Sequence, residues 1–164
     1  MVDEADSGEG PLLGRQAEEH DGWLDEQQLL PELVAHLRRH RSQLRQEVRA
    51  RAVAAGRGLV DQTKIVTAAS ELARNTLDHG GGGAVRVESV SQGGRRGVRL
   101  TFEDQGPGIP DVEQALVDGH TTYGGLGLGL PGCRRLMDDF EITSGPGRGT
   151  TVTMAKWRST GRTS

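Results

Sequence analysis

Glu71 and Asn75, in the run ELARN, are four residues apart and so share one face of a helix. A carboxylate in that position can polarise a water or a hydroxyl, and an amide oxygen can hold a hard cation. Magnesium accepts such sparse protein ligation, with phosphate oxygens and waters completing its shell. Further along, EDQGPGIP sets Asp104 ahead of Gly106, Gly108 and Ile109. A carboxylate in a glycine-flanked loop can accept from the exocyclic amino group of a purine, while bare backbone approaches the flat ring. Gly124, Gly125, Leu126, Gly127, Leu128 and Gly129 then precede a helical pattern. Exposed backbone N–H groups and a helix N-terminus there favour phosphate. Finally, GRGT (147–150) opens the last strand with Thr150, whose hydroxyl could sit behind a base.

Each block has an ordinary explanation when taken alone. A Glu and an Asn on a helix are usual solvated residues, D-x-G-P-G is strong turn chemistry, and GRGT suits a hairpin. Gly127, Gly129 and Gly132 satisfy G-x-G-x-x-G, but the dinucleotide fingerprint requires a strand just before it. The preceding HTTY (120–123) makes a poor buried strand. Neither Lys64 nor Lys156 follows the glycine that a Walker A loop needs, and the signatures of large eukaryotic-type protein kinases are missing. The four blocks in this order, rather than any one, point to an ATP site.

The elements that would position these residues follow from periodicity. A helical pattern over residues 25–55 places Leu30, Leu33, Val34, Leu37, Leu44 and Val48 on one side and Arg38, Arg39, Arg41, Arg45, Arg49 and Arg51 on the others. A second helix is expected over residues 61–78, with Asp61 as N-cap and a stripe of Ile65, Ala69, Leu72 and Thr76. Glu71 and Asn75 fall beside that stripe, where side chains line a cleft rather than fill a core. Alternation over 84–90 and 97–103, around Gly93 and Gly94, predicts an antiparallel hairpin with Val85, Val87, Val98, Leu100 and Phe102 on one side. A short helix over 111–117, a glycine-rich lid over 119–129, a helix over 130–139 and strands over 140–144 and 150–157 complete the order. The predicted fold is α+β: a two-layer sandwich with helices on one face of a mostly antiparallel sheet.

The 164 residues have room for one domain, with a core resting on aliphatic side chains because aromatics are only 3%. Residues 1–21 are acidic and apolar-poor and are expected to be a disordered tail; 22–157 form the domain, with 22–57 an atypical N-terminal helix; 158–164 form a second tail. A net charge of −3 gives no drive toward nucleic acid, and the Arg-rich helix lacks the interleaved aromatics of a nucleic-acid binder. A single cysteine, the absence of a signal-like start and the absence of an apolar span lead to an expectation of a cytoplasmic chain without membrane association.

In the four blocks the chain resembles the GHKL (Bergerat-fold) ATPases. ELARN is similar to their N box, EDQGPGI to the first glycine box, GGLGLGLP to the lid box and GRGT to the last box. Within them it resembles the small bacterial serine kinases that regulate sigma factors, nearest to the switch kinases of the stressosome, over residues 59–157. The resemblance implies that Glu71 is the general base for a serine hydroxyl, Asn75 the Mg²⁺ ligand, and Asp104 the adenine reader, with Gly106, Gly108 and Ile109 shaping its pocket. It implies that residues 124–129 cover the phosphates and that Thr150 backs the base. It further implies a stress-response serine/threonine protein kinase that uses ATP and Mg²⁺ on a STAS-domain antagonist, with a PP2C-type phosphatase as a further partner. The alternatives are an anti-sigma factor that sequesters a sigma factor directly, and a non-catalytic ATP-binding adaptor. Members of the family begin with a strand, for which the sequence shows no convincing counterpart. LPELVAHLRRHRSQLRQE is instead similar to an N-terminal helix of some stressosome scaffold proteins. The expectation is a sheet lacking its usual edge strand, or a rearranged front of the chain.

Overall fold

The structure, a computed structural model, describes residues 33–117 and 128–158. The strands are β1 (Leu33–His36), β2 (Gly83–Gln92), β3 (Arg95–Asp104), β4 (Asp139–Ser144) and β5 (Thr150–Trp157). The helices are α1 (Leu37–Ala54), α2 (Leu59–Asp78), α3 (Val112–Ala115) and α4 (Gly129–Leu136). All strand pairs are antiparallel, in the order β1-β2-β3-β5-β4. The α+β sandwich expected from the sequence is the fold found. The tail expected over 1–21, residues 22–32 of the expected domain, residues 159–164 of the tail expected over 158–164, and Gly124, Gly125, Leu126 and Gly127 of the lid lie outside the described residues.

Alternation builds the two layers. Val85 on β2, Phe102 on β3 and Val152 on β5 are register partners, as are Val87, Leu100 and Met154, and all six are buried. They close one core with Leu44 and Val48 of α1, Ile65, Ala69 and Leu72 of α2, and Cys133 of α4. Fully burying one such leucine or valine contributes about 1.5–3 kcal/mol, so the stripe on α2 alone fixes how that helix lies on the sheet. Thr76 completes the stripe, 5% exposed, and satisfies its hydroxyl by donating to the Leu72 carbonyl at 2.8 Å. Between β2 and β3 the turn is Gly93-Gly94, both at positive φ (58° and 78°), as a tight hairpin turn requires.

Three expectations for the front of the domain are corrected. The helix expected over 25–55 is broken at its described start: Leu33–His36 is a strand paired with β2, from Leu33 opposite Val87 to His36 opposite Ala84, and helix begins only at Leu37. Four consecutive residues of mostly apolar character satisfy either period, and the unpaired edge of β2 decides for strand. The sheet therefore does have a first edge strand. Second, Arg51 does not sit on a solvent face: it is 3% exposed, with Nε donating to Glu47 at 2.9 Å and Nη1 to Ser89 Oγ at 3.3 Å. Third, the N-cap of α2 is Gly58, and Asp61, one turn in, pairs with Arg57 instead. The later helices are also shorter than expected, with Met137 already extended where a helix to residue 139 was expected.

Candidate functional site

At one end of the sheet, past the last apolar layer, four register partners lie in a row: Gly83, Asp104, Thr150 and Ser144. Their parity with Val85, Phe102 and Val152 turns Asp104, Thr150 and Ser144 to the helix side of the sheet. Asp104 is thus the residue where β3 runs out of core and meets open backbone. Its Oδ1 accepts from the Gly106 N–H at 2.9 Å, which fixes the carboxylate. Its Oδ2 has no hydrogen-bond partner among the described residues, so one lone-pair-bearing edge of a held carboxylate is left for a ligand donor.

The walls beside it are bare backbone. A Cβ on Gly80 would lie 2.4 Å from the Asp104 side chain, and one on Gly106 would lie 2.7 Å from the Gly80 Cα. A Cβ on Gly83 would meet the Glu103 carbonyl oxygen at 2.2 Å. Gly80 and Gly83 are therefore required by close approach of the helix exit to Asp104 and to the β3 backbone. No side chain of theirs would stand between the carboxylate and a flat ring, so the residues present fit a purine nucleotide.

Two loops that are distant in sequence clasp behind Asp104. The Gly147 N–H donates to the Pro107 carbonyl at 2.8 Å. Ser144 Oγ accepts from the Ile109 N–H at 2.7 Å, lies 2.8 Å from Thr150 Oγ1, and is 2.9 Å from the Gly149 carbonyl to which it donates. Gly108 and Gly149 both have positive φ, and Cβ atoms there would stand 2.0 Å from the Gly145 oxygen and 2.1 Å from the Asp104 oxygen. Gly106, Gly108, Ile109 and Thr150 are thus brought together around Asp104. A cleft of about 410 Å³ lined by Thr143, Pro146, Arg148 and Thr151 abuts the same turn but does not include Asp104.

Glu71 and Asn75 project from α2, half-buried, at the margin of the stripe it buries. Asn75 is in the last turn before the exit loop, and its amide has no partner among the described residues. Glu71 keeps 17% of its side-chain surface exposed and accepts from Arg74 Nη2 at 3.1 Å. On its other flank is α4, whose Cys133 Sγ lies 3.8 Å from the Ala68 carbonyl. Burial first, and the Glu71 charge second, push the Cys133 thiol up to about 12. Gly129 begins α4 at positive φ, and Leu128 just before it is 47% exposed. Among the described residues no group of three His, Cys, Asp or Glu forms a metal cluster, and no helix is long and apolar enough to cross a membrane. A cation held here would rest on Asn75 and on ligand oxygens.

Sequence reasoning did not single out Ser144 or Gly80. A lone serine at a strand end carries no signal until its register with Thr150 is known. Gly80 stands in a run of four glycines (80–83) that local pattern reads only as the stop of a helix.

A single antiparallel sheet covered on one face by helices, with a carboxylate in a glycine-walled recess at its end and a Glu/Asn pair on the adjoining helix, defines an ATP-binding domain of the GHKL class. Residues 60–160 match the family described as histidine kinase-, DNA gyrase B-, and HSP90-like ATPase. The chain belongs to that family of ATPases. It is 50% identical over 102 residues to the serine/threonine-protein kinase RsbT of Bacillus subtilis, covering 62% of this chain and 77% of that protein. It is 37% identical over 101 residues to an anti-sigma F factor of Bacillus licheniformis, covering 57% of this chain and 68% of the relative. Among solved structures, the RsbU and RsbW domains of Rv1364c from Mycobacterium tuberculosis give a TM-score of 0.49 at 24% identity, over 78% of this chain and 32% of that one.

Proposed function

We propose that this chain is an ATP-dependent serine/threonine protein kinase of the switch type, which phosphorylates a STAS-domain antagonist protein and so regulates an alternative sigma factor. The observation that carries the reading is the pairing of the Asp104 recess with Glu71 and Asn75 on the helix that exits against it. The 50% identity to a serine/threonine kinase supports it.

In this reading Asp104 Oδ2 accepts from the exocyclic amino group of adenine, while the Gly106 N–H holds Oδ1 in place. Thr150 backs the base through its hydroxyl, itself positioned by Ser144. Asn75 holds Mg²⁺ through its amide oxygen, together with phosphate oxygens and water. Glu71 orients the substrate hydroxyl and takes its proton as the phosphoryl group transfers. Arg74 keeps that carboxylate aimed without consuming it, since it engages only Oε1 at 3.1 Å. Phosphoryl transfer needs positioning and charge neutralisation rather than a protein nucleophile, which suits a site of this composition. Residues 124–129, including Gly124, Gly125, Leu126 and Gly127, are assigned to the phosphates. A PP2C-type phosphatase is the further partner.

A second reading, direct sequestration of a sigma factor, is favoured by the similarity to anti-sigma F factors. A binding titration of the full chain with the sigma factors of the same genome, beside a Mg-ATP phosphate-transfer assay on its STAS-domain proteins, separates the two. Phosphate transfer to a STAS-domain protein, without a stable sigma complex, is expected. A stable sigma complex without transfer to any STAS-domain protein would overturn the kinase-first reading.

A further inference from the structure

The modest net charge of this chain hides a segregation. Residues 1–32 contain ten Asp and Glu against one basic residue, Arg15. Residues 33–164 contain nineteen Lys and Arg against thirteen Asp and Glu. Helix α1 carries nearly all of that positive excess, with six arginines against Glu47. Five of the six, Arg38, Arg39, Arg41, Arg45 and Arg49, are exposed.

Three of these, Arg41, Arg45 and Arg49, follow the non-helical His40 (φ −124°), recur at i, i+4 and i+8 and so line one side of the main part of α1, with Arg38 in the turn before the kink. The stripe borders the α2 flank: Arg45 Nε donates to Ser70 Oγ at 3.0 Å, one residue before Glu71, and Arg38 donates to the Gly81 carbonyl in the loop beside Asp104. Arg39, Arg41 and Arg49 make no hydrogen bond or ion pair with the described residues. Like charges gathered this densely repel one another, and a covering of opposite charge relieves that repulsion.

We propose that the acidic segment 1–32 is the occupant of this arginine face, docking on α1 of its own chain. Charge complementarity selects it, and its attachment point supports it. The segment ends at Leu33, the first residue of β1, and β1 runs directly into α1. The 18 residues of α1, kinked at His40, span at most about 27 Å, and 32 residues reach far beyond that when extended. A tether this short gives an effective concentration in the millimolar range, so individually weak exposed ion pairs add up. A protein that approaches the arginine face along α2 must first displace the segment, which makes it a built-in competitor at the flank of the site. The proposal stands whether or not the chain transfers phosphate.

The test uses the full chain with a nitroxide on Ser7→Cys; the buried Cys133 thiol stays unlabelled. Amide signals of residues 41–50 should be selectively attenuated at low ionic strength. The attenuation should be lost in 1 M salt, where the Debye length falls to about 3 Å, and lost in the triple variant Arg39→Gln, Arg41→Gln, Arg49→Gln. A second variant, with Glu18, Glu19 and Asp21 changed to the amides, should lose it too without touching the folded domain. Attenuation confined to residues beside the tether, or insensitive to salt and to both variants, would overturn the proposal. Attenuation seen only between an isotope-labelled chain and a separate spin-labelled one would also overturn it, in favour of a second copy as occupant.

Discussion

The two ends of the sheet treat their carboxylates in opposite ways. At the far end from Asp104, Asp138 accepts from Lys156 Nζ at 3.3 Å through one oxygen and from the Trp157 N–H at 2.7 Å through the other. Asp61 there pairs with Arg57 and lies 4.0 Å from Lys156. Both carboxylates are spent on holding the α1–α2 and α4–β4 connections to β5. Asp104 has a single backbone donor on one oxygen and Gly80, Gly83 and Gly106 beside it. A carboxylate whose two oxygens both face cations or donors of its own chain is architecture, whereas one fixed through a single oxygen with the other left over is set up to receive a ligand. The same contrast separates Arg74, which engages one Glu71 oxygen, from Arg99, which holds both oxygens of Glu88 at 3.2 and 3.1 Å.

Substitutions can break this contrast from either side. The largest effect is expected for Glu71→Ala, which should cut phosphate transfer roughly 100-fold or more while leaving ATP affinity in place. Isothermal titration beside a transfer assay reads both. Normal transfer by this variant would remove Glu71 from the role of base. Next is Asp104→Asn. Its Oδ1 can still accept from Gly106, but it presents an NH₂ to the adenine amino group, so ATP should bind roughly 10-fold or more weakly, in line with about 1.5–3 kcal/mol for a hydrogen bond to a charged group.

Glycine variants sharpen the comparison within one loop. Gly147 and Gly149 both have positive φ, near 70°, but a Cβ on Gly147 meets nothing within 4 Å while one on Gly149 meets the Asp104 carbonyl at 2.1 Å. Gly147→Ala should lose only the cost of the left-handed backbone, about 1–2 kcal/mol, as read by urea melts. Gly149→Ala should lose more than that and weaken ATP binding as well. Equal losses at the two positions would show that the clasp behind Asp104 is not tight.

The smallest effect belongs to the structural end. The Arg57 hydrogen bond holds the Asp61 carboxyl below its ordinary 3.8, against an opposing push from burial. A depressed carboxylate contributes stability that is present above its unfolded value and lost as pH falls through the folded one. Below about pH 4 the parent should therefore lose stability faster than Asp61→Asn, as thermal melts across that range would read. The difference should be modest because a quarter of the Asp61 side chain faces solvent. Identical acid limbs would assign the acid sensitivity elsewhere.

Much of this was legible in the sequence because it rests on period and on glycine. The α2 stripe, the hairpin around Gly93-Gly94 and the last strand pair all follow from spacing alone. The grouping of Asp104 with Thr150 also followed, since four ordered blocks left little else to make of them. What failed to show was whatever depends on a distant partner. Leu33–His36 is a strand only because β2 offers an edge, and Arg51 is buried only because Glu47 and Ser89 receive it. Ser144 ties Ile109 to Thr150 from 35 residues away, and no local pattern announces that. The glycine run after α2 makes sense only once Gly80 is seen against Asp104.

The central claim is that the recess at Asp104 and the carboxylate at Glu71 work together in phosphate transfer to a protein. Its most direct test is intact-mass analysis of the STAS-domain proteins of the same genome after incubation with the full chain and Mg-ATP, with Glu71→Ala in parallel. The account predicts one phosphoryl group added to at least one of them, and none with the variant. ATP binding confirmed, with no transfer to any of them by the parent chain, would contradict it.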